Sequence, residues 1–154
     1  MTMRRYGQSV RNDVNYRHRP GAYGVILHLD KILLTHQAWP EAELQLPGGG
    51  IDTGESAVQA LHRECMEETG WKIQIDRRLG AYQRFTYMPD YGFWAQKICH
   101  IYLCRPVFKV PPVTGRALVI NLAMIQAPAP VQPYIPAITA IDSERILVNS
   151  TIAM

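Results

Sequence analysis

Residues 46–71, LPGGGIDTGESAVQALHRECMEETGW, constrain this chain more than any other stretch. Gly48, Gly49 and Gly50 suit a tight turn where backbone approaches a ligand with no Cβ in the way, and a loop carries them into a helix. Ser56 and Gln59 have capping-box spacing, so hydroxyl and amide each satisfy an orphan N–H at the helix start. Gly70 is the residue type that ends a helix in a left-handed conformation, which predicts a helix from about 57 to 69. Val58, Leu61 and Cys65 recur at helical spacing and form the apolar stripe that packs onto a sheet. Glu64, Glu67 and Glu68 fall on one neighbouring face, because positions three and four apart are adjacent on a helix. Each close carboxylate pair destabilises a helix by about 0.2–0.5 kcal/mol, so the pattern implies a cation for them to share. Oxygen-only ligands select a hard ion, Mg2+ or Mn2+, over zinc.

The chain has 154 residues, the size of one domain with a real core. An apolar content of 47% against 19% charge excludes a disordered chain. No apolar run approaches the roughly 18 residues of a membrane span, and the polar N-terminus lacks the apolar core of a secretory signal. The 3 cysteines lack metal-site spacing, and together these features predict a reducing, cytoplasmic setting. The net charge of +3 hides an asymmetry. Arg4, Arg5, Arg11, Arg17, His18 and Arg19 crowd the front while acids gather between residues 46 and 71. A basic arm of this kind either steers an anionic ligand or is a solvated tail.

Residues 1–19 read as that arm, ended by Pro20-Gly21, and 20–109 as the domain core. AYGVILHL (22–29) and ILLTHQ (32–37) form a predicted hairpin turning at Asp30-Lys31, and Leu44–Leu46 a short strand. WKIQI (71–75), 79–88 and 93–108 are further strands, the last two around a turn at 89–92. The signals alternate without a βαβα rhythm, which predicts a mixed sheet covered by helices. Residues 110–154 differ: six prolines punctuate 111–136, and no acid occurs between Tyr91 and Ile141. ALVINLAMI (117–125) is a strand or short helix, 128–136 extended, and 143–154 at most a weak helix. This segment is either a divergent end of the domain or the product of a reading-frame change.

The central stretch resembles the Nudix box, G-x5-E-x7-R-E-U-x-E-E-x-G-U with U bulky and apolar. Gly49, Glu55, Arg63, Glu64, Glu67, Glu68 and Gly70 occupy every fixed position, with Cys65 and Trp71 at the two U positions, Cys65 being smaller than usual. The resemblance covers residues 49–71 and implies an α/β fold, an α/β/α sandwich whose mixed β-sheet is flanked by helices. It implies a Mg2+-dependent hydrolase, with Mn2+ as substitute, acting on nucleoside diphosphates linked to another group. Carried over by position, Glu64, Glu67 and Glu68 are metal ligands together with the carbonyl of Gly48. Arg63 orients a glutamate or touches phosphate, Gly49 and Gly50 line the phosphate side, and Glu55 braces the loop against the helix. The MutT-type enzymes acting on oxidised nucleoside triphosphates are the leading substrate class. Tyr87 stands about sixteen residues beyond the box, where dinucleoside-polyphosphate hydrolases tend to carry tyrosine, and with Phe85 it is a candidate for base stacking. Thr86 replaces the proline of adenosine-diphosphoribose hydrolases.

Each assignment has a plainer rival. An E-x-x-E-E run on an arbitrary helix is ordinarily a solvated face, and the glycines alone are an ordinary turn. His62 reads as surface or packing, and His100 as a sheet-face histidine. Cys99 and Cys104 fall on opposite faces of a strand, which excludes a shared metal. The general base is either Glu67 or Glu68, or Asp90, or Glu144. Two functions follow: a metal-dependent pyrophosphohydrolase of a small nucleotide, or a weak or inactive Nudix-fold module binding nucleotide or, through its arm, RNA.

Overall fold

The computed structural model describes residues 3–38, 43–111, 117–121 and 137–138. In chain order these form β1 (Arg4–Gly7), β2 (Tyr16–His28), β3 (Lys31–Gln37), β4 (Glu43–Gln45), β5 (Gly48–Gly50), α1 (Ala57–Thr69), β6 (Trp71–Met88), β7 (Phe93–Lys109), β8 (Ala117–Asn121) and β9 (Ala137–Ile138). One mixed sheet runs β1-β6-β7-β2-β3-β4-β9, with β5 paired to β2 and β8 to β3. The β1–β6 and β2–β7 pairs are parallel and the others antiparallel. Parallel neighbours need a long crossover, and the segment from β3 through α1 to β6 supplies it between β2 and β7.

Local chemistry sets the turns. Two residues, Leu29 and Asp30, join β2 to β3, and Leu29 takes φ 55°, as two-residue hairpin loops demand. The turn lies one residue earlier than the sequence suggested, with Lys31 already paired to His28. At the β6–β7 hairpin, Gly92 takes φ 66° and donates its N–H to the Met88 carbonyl at 2.9 Å. β6 is continuous across the polar residues 76–78 that look like a gap in the sequence. Its ladder absorbs them as register shifts at Lys72/Ile73, Ile75/Arg77 and Arg78/Gly80.

Strand alternation divides the core in two. One face gathers Ala22, Ile26, Leu33, Ile73, Tyr102 and Cys104 beneath Ala60, Leu61 and Cys65 of α1. The other gathers Tyr23, Leu34, Leu44, Leu46, Tyr82, Cys99, Ile101 and Ile120. Cys99 and Cys104 therefore do lie on opposite faces. The helix stripe is shifted from expectation: Ala60, Leu61, Cys65 and Thr69 are buried while Val58 is exposed. Val58 lies in the first turn and is 42% exposed, although helical spacing puts it on the same side as Cys65 and Thr69. Burying Leu61 completely contributes about 1.5–3 kcal/mol.

The front of the chain is a correction to the arm reading. Arg4–Gly7 pairs with Tyr82–Phe85, and Tyr16–Arg19 pairs with Trp94–Lys97, so both are sheet strands rather than a separate 1–19 arm. Pro20 does not end β2, since its carbonyl accepts the Ile51 N–H at 3.0 Å and a strand tolerates a missing donor where no ladder bond needs it. From the proline-rich segment, 117–121 is strand, paired with β3. The helix considered for 143–154, the stretch 128–136 and Glu144 lie outside the described residues. Among the described residues, α1 is the one helix, and none is long and apolar enough to cross a membrane.

Candidate active site

The glycines are not a free turn. Gly48–Gly50 form β5, paired with Gly21–Tyr23. Bonds from Gly24 N–H to the Pro47 carbonyl (2.9 Å) and from Ile51 N–H to the Pro20 carbonyl (3.0 Å) fix its two ends. Gly48 takes φ 140°, and a Cβ there would lie 2.1 Å from the Ala22 carbonyl oxygen. A Cβ on Gly49 would meet the Glu64 carboxylate at 2.6 Å. Side-chain-free backbone is thus what lets β5 sit between β2 and the carboxylates of α1.

The helix begins and ends as its sequence requires. Ser56 Oγ accepts from Gln59 N–H, Gln59 Oε1 accepts from Ser56 N–H, and Gly70 closes α1 at φ 72° with its N–H on the Met66 carbonyl. Thr69 is buried, its hydroxyl donating to the Cys65 carbonyl at 2.6 Å.

Arg63 is the electrostatic centre. Its Nε and Nη2 each donate at 2.9 Å to the two oxygens of Glu55, a bidentate pair. Nη1 donates to Glu64 Oε1 at 2.8 Å, and Nη2 also reaches the Gly50 carbonyl at 3.0 Å. Glu67 and Asp52 stand farther off, each 3.6 Å from the guanidinium. Glu55 in turn accepts the Asp52 N–H, which ties the 51–56 loop to the helix. These bonds hold the Glu55 carboxyl below its ordinary pKa and raise that of Arg63, hydrogen bonding being the largest cause in each. The guanidinium donates to two carboxylates and a carbonyl.

Glu68 Oε2 accepts the Gly48 N–H at 3.0 Å, so helix and β5 are joined at their closest point. The Glu67 side chain is more open to solvent than Glu64, at 46% against 18%. Among the described residues, no three His, Cys, Asp or Glu side chains are grouped closely enough to hold a metal as they stand. The donor set still fits a hard divalent ion: three carboxylates lie on one helix face beside β5, and one arginine is shared among Asp52, Glu55, Glu64 and Glu67.

The aromatic candidates separate. Phe85 is 9% exposed and packs edge-on to Tyr16 at 5.0 Å, a core role. Tyr87 is 42% exposed and tilts against Trp94 at 5.4 Å. His62 is exposed, and half-buried His100 has its Nδ1 3.3 Å from Arg78 Nη2. Desolvation, then Arg78, lowers the His100 pKa. Asp90 is exposed at the β6–β7 hairpin tip, next to Tyr91, whose ring lies 5.5 Å from the Arg19 guanidinium. Burial raises the Cys65 thiol and pushes Cys104 up to about 12, so both are inert packing groups.

A mixed sheet with a capped, glutamate-bearing helix braced to a glycine strand defines a class of fold and site. The NUDIX domain family matches residues 17–122. A putative 8-oxo-dGTP diphosphatase of Bacillus subtilis is 38% identical over 64 residues, covering 42% of this chain and 43% of that protein. An RNA pyrophosphohydrolase of Sodalis glossinidius is 42% identical over 53 residues, covering 34% of this chain and 30% of that protein. The chain therefore spans less than half the length of these curated relatives. A NUDIX hydrolase structure from Nitrosomonas europaea superposes with a TM-score of 0.58 at 24% identity, over 71% of this chain and 76% of that one, a likeness of fold. The chain belongs to the Nudix family, and its fold is the α/β Nudix fold.

The cationic residues on the far face of the sheet, Arg84 and Lys97, escaped sequence reasoning altogether. Their signal is their symmetric spacing about the 89–92 turn, which pairs them across the β6–β7 hairpin.

Proposed function

We propose that the chain hydrolyses a phosphoanhydride bond in a nucleoside diphosphate-X compound, a modified nucleoside triphosphate or a dinucleoside polyphosphate. The observation that carries the reading is the bracing of α1 to β5, Glu68 on the Gly48 N–H and Arg63 on Glu55, Glu64 and Gly50. The relatives' names, a diphosphatase of an oxidised nucleotide and a pyrophosphohydrolase of RNA, support the same bond type. Glu64, Glu67, Glu68 and the Gly48 carbonyl would hold Mg2+, with Mn2+ as substitute. Bound there, the ion would neutralise charge developing on the phosphate oxygens and acidify the attacking water.

The remaining chemistry belongs to the chain. Arg63 fixes the Glu64 rotamer, and Glu55 fixes Arg63. Gly49 and Gly50 give phosphate a surface without side chains. Water attacks phosphorus, the bridging P–O bond breaks, and nucleoside monophosphate leaves with phosphate-X. Glu67, or Glu68 beside it, takes the proton of that water. Tyr87, exposed beside Trp94, is the better placed of the two proposed stacking residues.

A panel of nucleotides incubated with Mg2+, with products resolved by chromatography, tests this reading. The expected products are a monophosphate and phosphate-X, lost in the Glu67→Gln, Glu68→Gln double variant. Turnover that survives loss of both carboxylates removes the mechanism. Tight nucleotide binding with no turnover on any member favours a binding module instead.

A further inference from the structure

β6 is much longer than its outer neighbour. β1 pairs only with residues 82–85, so among the described residues nothing pairs with the outer edge of residues 71–79. The inner edge of the same stretch is committed to β7. An open strand edge presents backbone N–H and C=O groups that another strand can take up. The strand is firmly held there, because Ile73 is 3% exposed in the core cluster beneath α1.

Side chains decide which strand fits. Alternation puts Lys72, Gln74 and Asp76 on one face, away from Ile73, and all three are exposed. Lys72 pairs with Phe108, its ammonium 5.4 Å from that ring, and Gln74 pairs with Arg105. Arg105 Nε lies 3.1 Å from Asp76 Oδ1, which keeps Asp76 on the face of Gln74 although the register shifts between Ile75 and Arg77. A cation and an anion therefore stand two residues to either side of Gln74.

Charges on a strand edge ordinarily deter pairing. Here the signs are opposite and the spacing is symmetric, so one partner escapes the deterrent: a second copy running antiparallel about Gln74. That register sets Lys72 of each copy opposite Asp76 of the other, Ile73 opposite Ile75, and Gln74 opposite itself. Opposite charges directly across antiparallel strands stabilise the pair, and like charges oppose it. A parallel copy in the same register would set Lys72 on Lys72 and Asp76 on Asp76. Phe108, 48% exposed beside Lys72, adds apolar surface at the margin. Register shifts at Ile75/Arg77 and Arg78/Gly80 bend the strand beyond Asp76 and confine the pairing to residues 72–76.

We propose that residues 72–76 of β6 form an isologous interface through which two copies of this chain join their sheets edge to edge. The two-fold axis stands perpendicular to the sheet, so both copies carry α1 on the same face of the joined sheet. β7 and β2 separate this edge from β5, and the interface does not depend on hydrolysis at α1.

A short edge-to-edge interface dissociates readily, so the test is a concentration series of the full chain by sedimentation velocity. The wild type is expected to pass from monomer to dimer as concentration rises. Lys72→Glu and Asp76→Lys each leave like charges facing one another twice per dimer, and each raises the midpoint by roughly tenfold or more. An equimolar mixture of these two variants restores the dimer, because every facing pair then has opposite sign. Damaged folding cannot produce that rescue. Asp30→Lys, the same charge change at the β2–β3 turn, leaves association unchanged. The proposal is overturned if the wild type stays monomeric at every concentration, which would leave the edge to a strand of another protein. It is also overturned if either variant dimerises as the wild type does, or if the mixture stays monomeric.

Discussion

The two faces of the sheet carry opposite charge by opposite means. On one, three glutamates crowd a helix that a single arginine partly neutralises. On the other, three cations align across strands β2, β7 and β6. The acidic cluster comes from helical periodicity, a local property of consecutive residues. The basic row comes from strand register, which pairs Arg84 with Lys97 across the β6–β7 hairpin and brings Arg19 beside them from β2. The lesson is that helical charge crowding is read from spacing alone, whereas the cross-strand kind also needs register.

The largest expected effect sits on the acidic face. Replacing Glu68 with Gln should lower turnover by about 10³-fold with little change in fold, measured as kcat on the best nucleotide of the panel. Loss of less than a few-fold would make Glu68 a structural bond to Gly48 and nothing more.

Next come the two glycines between the faces. Gly48→Ala should destabilise by about 3 kcal/mol or more in urea unfolding, because both φ and the Ala22 carbonyl oppose a side chain. Gly49→Ala meets only the movable end of Glu64, so it should reduce turnover while changing stability little. Equal stability losses in the two variants would refute this division of labour.

A pH titration sharpens the role of Arg63. Arg63 depresses the Glu55 carboxyl below its ordinary value of 4.5. A depressed carboxylate contributes stability that is fully present above its unfolded pKa and lost as pH falls through the folded one. Arg63→Gln should therefore unfold more readily at pH 7 and lose less on acidification than wild type, monitored by thermal melts between neutral and acid pH. An unchanged acid limb would show the pair to be energetically silent.

The smallest effect concerns the cysteines. Cys65, Cys99 and Cys104 are buried free thiols with raised pKa values. Alkylation should be slow in the native chain and fast only in denaturant, by mass spectrometry. Rapid native labelling of Cys99 would show the basic face to be open beneath Tyr82.

Much of the acidic face was legible in the sequence. Helix bounds, capping box and Gly70 cap follow from side-chain chemistry within a few residues, whereas Glu55 as a brace for the loop comes only from the family resemblance and its partner Arg63 from the structure. Val58 shows the limit even there: its spacing puts it on the side of Cys65 and Thr69, and periodicity does not reveal that the first turn leaves it exposed. Gly48–Gly50 read as a turn because glycine favours turns, yet its use here is close packing of β5 against Ala22 and Glu64. Residues 4–7 and 16–19 read as an arm because they are short and basic. Pairing with β6 and β7 overrides that composition, and no amount of local pattern reveals a partner eighty residues away.

The most direct test of the central claim is Mn2+ binding to the full chain by electron paramagnetic resonance, with and without Glu64→Gln and Glu68→Gln together. The account predicts a bound, Mg2+-displaceable ion in the wild type and its loss in the double variant. Mn2+ held equally well by both proteins would contradict the assignment of the carboxylate helix as the metal site, as would a wild-type chain that binds none.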